Sequence, residues 1–222
     1  NDERKKQLAS YGAEVVYFQT DVSNEKEVLK LHDKIINQFG KIDGIIHAAG
    51  IKKDALISSK PLEEFYDVIA PKVQGTIFLD EAFKNEKLDF FVMFSSIASL
   101  TLSATISDYA YANGFLDSYA QHRESLQREG KRYGTTLSVN WPLWLDGGME
   151  FSHEAQENLY LISGMNALPT NEGLMAWEVI SNISPQCVLM YGDETKIKDH
   201  LKINSDYKVF HSLSKGQGET LI

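Results

Sequence analysis

Ser96, Tyr109 and Asn113 fall within the stretch FVMFSSIASLTLSATISDYAYANGFLD, residues 91–117, at spacings that suit a reaction site. The apolar run 90–94 predicts a buried strand, and a strand ending in Ser95 and Ser96 delivers hydroxyls to the carboxyl edge of a sheet, where open α/β folds bind ligands. Tyr109 and Asn113 stand four apart at the start of a predicted helix, so they share one face of it. Singly, each residue has an ordinary explanation: Tyr and Asn at helical spacing pack or face water, and Ser-Ser after a strand caps a helix. Together they read as a possible reaction site, with hydroxyls brought to a sheet edge.

The elements that must position these residues alternate along the chain. Residues 1–11 read as a helix ended by Gly12, 14–20 (EVVYFQT) as a short strand, and 25–39 as a helix with Asn24 as its cap, Glu27 in the capping-box position and Gly40 as its stop. A strand over 42–47 closes in Ala48, Ala49 and Gly50; a helix over 62–84, a strand over 88–94, a helix over 108–129 and a strand over 135–140 ended by Pro142 follow. Such alternation predicts an α/β fold, a Rossmann-like doubly wound parallel sheet with helices on both faces. From residue 143 to about 169 the rhythm breaks at Gly147 and Gly148, and an amphipathic pattern of Phe151, Ala155, Leu159 and Ile162 suits a lid. Thr170 and Asn171 cap a predicted helix to about residue 183, a last strand covers 186–190 and a last helix 194–201. The expected division is a catalytic domain over 1–203 and a polar, Gly/Ser-containing linker over 204–222.

With 43% hydrophobic residues in 222, the chain can bury one substantial core. A formal net charge of -9 argues against a nucleic-acid backbone or an anionic membrane surface as partner. Cys187, the single cysteine, sits in an apolar stretch and points to a buried thiol in a reducing, cytoplasmic setting. No apolar run reaches the length of a membrane span, and no His, Cys, Asp and Glu set has metal-ligand spacing.

The motifs Asp21-Val22, His47-Ala48-Ala49-Gly50, Pro71-Lys72-Val73-Gln74-Gly75, Phe94-Ser95-Ser96, Tyr109-Ala110-Tyr111-Ala112-Asn113 and Asn140-Trp141-Pro142-Leu143-Trp144 run in an order that resembles the short-chain dehydrogenase/reductases. More narrowly, the chain resembles the ketoreductase domain of modular polyketide synthases. Most of the superfamily carries Lys four residues after the tyrosine; here Asn113 stands there and Lys72 lies upstream, the exchange that those ketoreductases show. The intervals of 24, 13 and 4 residues from Lys72 to Ser96, Tyr109 and Asn113 agree with theirs. One departure concerns the start: the family opens with a strand, a Gly-rich turn and a helix, and this first βαβ unit, which would hold a cofactor pyrophosphate, is absent from the 222 residues. The chain, starting mid-helix, is therefore expected to be part of a larger domain.

The resemblance implies NADPH as cofactor, with Tyr109 as the acid, Ser96 polarising a ketone, Lys72 lowering the tyrosine pKa and bonding the cofactor ribose, and Asn113 orienting Lys72 directly or through a water. It implies a cofactor site built from Asp21, Val22, His47, Ala48, Ala49, Gly50, Lys72, Tyr109, Pro142 and Leu143. It also implies a β-ketoacyl thioester on the phosphopantetheine arm of an acyl carrier protein as substrate, and neighbouring synthase domains as partners. Asp54, 18 residues before Lys72, stands where the subtype giving D-hydroxy (B-type) products carries an Asp, though Lys52 and Lys53 replace its usual neighbours; an ordinary exposed loop Asp is the evenly matched alternative. Trp144 is a candidate for substrate contact, packing being the plainer reading. His122, Arg123, Arg128, Lys131 and Arg132 form either a carrier-protein docking face or cations that suit a helix C-terminus. Two competing functions are a freestanding oxoacyl or alcohol reductase, against which Asn113 speaks, and a non-catalytic structural ketoreductase-like domain.

Overall fold

A computed structural model describes residues 2–101, 103–147, 152–180, 185–202 and 220–221. Four strands, β1 (Gly44–His47), β2 (Phe90–Ser96), β3 (Thr135–Trp141) and β4 (Gln186–Val188), form a parallel sheet in the order β1-β2-β3-β4. Helices α1 (Asp2–Ser10) and α2 (Glu25–Phe39) precede β1, α3 (Leu62–Ala82), α4 (Ser107–Arg128), α5 (His153–Ser163) and α6 (Thr170–Ile180) connect the strands, and α7 (Glu194–Leu201) follows the last strand of the sheet.

Strand alternation sorts the core into two layers. Phe91 and Met93 of β2 pack with Val28 of α2, Leu79 of α3 and Leu116 and Ala120 of α4 on one face. Val92 of β2 and Leu137, Val139 and Trp141 of β3 pack with Ala176 and Ile180 of α6 on the other. Helices thus cover both faces, as the alternation requires. A third cluster, Met165, Met190 and Ile197 with Leu159, ties α5 to α7.

The helix ends follow their local chemistry. Asn24 accepts hydrogen bonds from the amides of Lys26 and Glu27, and Gly40 closes α2 in the left-handed region at φ 76°. Glu27 does not complete a capping box; its carboxylate accepts from the Asp21 amide at 2.8 Å. Thr170 is the first residue of α6, and its hydroxyl donates to Asp146 rather than capping.

Two expectations need correction. Residues 14–20 form no strand: they run without a ladder, and Val16 and Tyr17 are exposed. An extended segment becomes a strand only beside a partner, and in the doubly wound order the third strand pairs with the second, not the fourth; the Gly-rich unit that would supply those neighbours is not in this sequence. Ile162 does not share the inner face of α5; it and Leu161 are exposed, while Leu159 packs inward. Thr220–Leu221 form β6, antiparallel to β5 (Tyr191–Gly192). Asn1, Gly148, Phe151, the helix extension over 181–183, and residues 203–219 and 222 lie outside the described residues.

Candidate active site

Lys72, Ser96, Tyr109 and Asn113 arrive from α3, the end of β2 and α4. Lys72 follows Pro71 inside α3 and is 4% exposed; its Nζ donates to the Phe94 carbonyl of β2 at 2.7 Å and lies 5.9 Å from the Tyr109 ring centroid. Burial pushes the Lys72 pKa down to about 8, and the Asp117 carboxylate pulls the other way. One ammonium hydrogen is committed to Phe94, which leaves two for a ligand.

Ser96 ends β2 and begins a single 3₁₀ turn, Ile97–Ser99, accepting from the Ala98 amide at 3.2 Å. The cap uses an oxygen lone pair and leaves the hydroxyl hydrogen to donate, so the cap and the site coexist in one side chain. Asn113 is fully buried; its Nδ2 donates to the Tyr109 carbonyl at 2.7 Å, while its Oδ1 has no partner. The structure gives no direct bond between Asn113 and Lys72, so of the two expected routes the direct one is not formed.

His47 closes β1, is 3% exposed, and hydrogen-bonds the Pro71 carbonyl at 3.1 Å, which places the neutral ring's proton on Nε2. Burial, then the charge of Lys72, hold its pKa down at about 4. Ala48, Ala49 and Gly50 continue from it at the surface, and a Cβ on Gly50 would stand 2.9 Å from Lys72 Cε. A larger residue there would fill the approach to the ammonium.

The other expected ligand residues are more scattered. Asp21 is exposed, its carboxylate accepting from the Ser23 amide and hydroxyl, which hold it below its ordinary pKa. Val22 packs inward against the first core layer. Pro142 is buried and Leu143 half-buried, its carbonyl accepting from the Leu168 amide. Trp144 lies 4.9 Å from Trp141, and a Cβ on Gly173 would meet its ring at 2.3 Å, so its local role is packing on α6. Asp54 is half-exposed and paired with Lys52 at 2.9 Å; the next residue, Ala55, donates its amide to the Thr105 carbonyl, which sets this loop beside the start of α4.

The expected basic face does not hold together. Arg123 is 1% exposed and turned inward to Asp80, Thr136 and the Tyr133 carbonyl. Arg132 pairs with Asp80 and Glu81, and Lys131 with Glu129. The reason is Asp80, a fully buried carboxylate of α3 that needs counter-charge and hydrogen bonds.

A polar network was not foreseen. Asp117 accepts from the hydroxyls of Ser138 and Ser99 and from Asn140 Nδ2, and Asn140 reaches on to Ser95 and the Ser96 carbonyl. Two signals were available: Asp117 falls one turn after Asn113 on the face of α4 that carries Tyr109, and Thr136, Ser138 and Asn140 alternate along β3. Also unforeseen is a buried ion pair, Lys60 with Asp108, immediately before Tyr109.

A parallel sheet flanked by helices, with a lysine, serine and tyrosine gathered at the end of its second strand, defines a Rossmann-like fold of the short-chain dehydrogenase/reductase type. A family model described as KR domain matches residues 1–146, and the chain belongs to the ketoreductase domains of polyketide synthases, a family of oxidoreductases. It is 43% identical over 197 residues to the polyketide synthase PksN of Bacillus subtilis (strain 168), covering 88% of this chain and 4% of that one. Polyketide synthase PksL of the same organism is 39% identical over 224 residues, 99% of this chain and 5% of the relative. The chain thus spans about a twentieth of these relatives. A solved ketoreductase domain from the bacillaene assembly line superposes with a TM-score of 0.87 at 42% identity, covering 90% of this chain and 48% of that domain. Among the described residues no helix is long and apolar enough to cross a membrane.

Proposed function

We propose that the chain reduces a β-ketoacyl thioester, carried on the phosphopantetheine arm of an acyl carrier protein, to the D-β-hydroxyacyl (B-type) product with NADPH. The observation that supports this most is the meeting of the buried Lys72 ammonium with the Tyr109 ring, beside a Ser96 hydroxyl whose hydrogen remains free to donate. Bound NADPH supplies a hydride to the ketone carbon. The residues present fit its nicotinamide-ribose half: the small Ala48–Gly50 stretch leaves the approach to Lys72 open, and the orphaned Asn113 Oδ1 needs a donor. The pyrophosphate half would need a Gly-rich turn and helix N-terminus, which these 222 residues do not contain.

In this reading the Tyr109 hydroxyl gives its proton to the ketone oxygen while the Ser96 hydroxyl holds that oxygen in place. Lys72, cationic below about pH 8, places a positive charge beside the Tyr109 ring and would bond the ribose hydroxyls with its remaining hydrogens. A water bridging Asn113 Oδ1 and Lys72 would refill the proton. The neutral His47 holds α3 at Pro71, so that Lys72 projects toward β2. Asp54, fixed next to the start of α4, supports the D-hydroxy assignment. Residues 1–203 act as the reductase region and 204–222 as a connection to neighbouring synthase domains.

The test is NADPH oxidation with a β-ketoacyl thioester by the full-length protein, with chiral analysis of the product. Tyr109→Phe should lower turnover by roughly 10²–10⁴-fold, the usual worth of a general acid. A wild type without turnover would favour a non-catalytic domain, and an L-hydroxy product would overturn the stereochemical assignment.

A further inference from the structure

We propose that Asp117 is a positioning residue for this reaction, holding the Ser96 end of β2 and the Asn113 turn of α4 in one frame and supplying the site with a buried negative charge. The inference rests on the reductase reading above. Asp117 stands one turn beyond Asn113 on α4 and is 8% exposed. Its Oδ1 accepts from Ser138 Oγ of β3 at 2.7 Å; its Oδ2 accepts from Ser99 Oγ of the 3₁₀ turn at 2.7 Å and from Asn140 Nδ2 of β3 at 2.8 Å.

Asn140 is the relay. Its Oδ1 accepts from Gln186 Nε2 of β4 at 2.9 Å, which orients the amide so that Nδ2 faces Asp117. The same Nδ2 lies 3.2 Å from the Ser96 carbonyl and 3.1 Å from Ser95 Oγ, and Ser95 in turn donates to the Asn113 carbonyl at 3.2 Å. One carboxylate therefore ties β2, β3, β4, the 3₁₀ turn and α4 together at the point where Ser96 and Asn113 are presented.

The charge on Asp117 calls for a reason beyond stapling. Asp80 and Asp108, the other buried carboxylates among the described residues, are answered by Arg123 with Arg132 and by Lys60, whereas Asp117 forms no ion pair among the described residues. A buried, unpaired carboxylate is costly, and a neutral amide could serve most of the same hydrogen bonds. Charges of this kind concentrate at sites that use them. The groups facing Lys72 are His47 from β1, the Phe94 carbonyl from β2, and Tyr109 and Asp117 from α4; His47 is neutral, so Asp117 is the anion of the set. Its field favours the ammonium form of Lys72 against burial.

The experiment compares Asp117→Asn, Ser138→Ala and Asn140→Ala with wild type in the full-length protein, measuring kcat and KM for a β-ketoacyl thioester against pH. Asp117→Asn should move the alkaline limb of kcat down by about one pH unit, which by itself lowers kcat at pH 7 about twofold, with KM changed little. Ser138→Ala removes one bond and keeps the charge, so its limb should stay at the wild-type position. Asn140→Ala, which frees the Ser96 carbonyl and leaves the charge, should lower kcat without moving the limb; it carries the test if Asp117→Asn does not fold. A wild-type limb and kcat in Asp117→Asn, an equal shift in Ser138→Ala, or an unaltered kcat in Asn140→Ala would overturn the inference. A wild type inactive at every pH would overturn the reductase reading instead.

Discussion

Lowering the pH should destabilise this domain through His47 in a way that one substitution can isolate. The buried ring stays neutral down to about pH 4, whereas an unfolded histidine takes its proton near 6.5. Between those values the unfolded chain binds more protons than the folded one, so stability falls as pH falls through the window, and the loss is complete below about pH 4. At about 1.4 kcal/mol per pH unit, the gap amounts to roughly 3 kcal/mol. The ring is 3% exposed, so solvent screening does not erode the figure. His47→Gln keeps a donor for the Pro71 carbonyl and cannot titrate. Urea unfolding of the domain at pH 7.5 and pH 4.5, wild type against variant, measures the difference. Carboxylates that titrate over the same range act on both proteins and cancel. Wild type should lose about 2–3 kcal/mol more than His47→Gln at equal m-values. Equal losses in the two proteins would refute the reasoning, because they would mean that His47 is protonated without cost in the folded state.

Two substitutions separate activity from stability. Gly50→Ala places a Cβ 2.9 Å from Lys72 Cε, the movable end of a flexible side chain, so the melting temperature should change little while turnover falls on the order of tenfold to hundredfold from a displaced ammonium; an unchanged kcat would show that Lys72 is not positioned through this contact. Asp80→Asn leaves Arg123 buried without its anion and should cost about 3–5 kcal/mol, read as a lower melting temperature. A loss under about 1 kcal/mol would place that pair among those worth little.

Much of the fold was legible because its signals are local. Asn24 and Gly40 bound α2 by hydrogen bonding and a left-handed turn that their residue types favour, and α7 matches its predicted bounds of 194–201. The apolar runs at 90–94 and 135–140 found their strands, since a strand buried on both faces reads as continuous apolar or β-branched sequence. Residues 14–20 carry an equally good strand pattern and form none, because pairing is a property of a neighbour that propensity does not contain.

For the candidate site, the sequence by itself determined which residues are present and how far apart they stand: Lys72, Ser96, Tyr109 and Asn113 at fixed intervals, with the helical face shared by Tyr109 and Asn113. Only the tertiary structure decided what each side chain meets. Arg123 and Arg128 look alike in a basic run, yet one is buried on Asp80 and the other closes the last turn of α4, because a partner 43 residues away claims the first. Asp117 read as one more residue of a long helix until β3 brought Ser138 and Asn140 against it. Burial and charge pairing depend on which strands and helices become neighbours, and that is settled by packing across the sheet rather than by spacing along the chain.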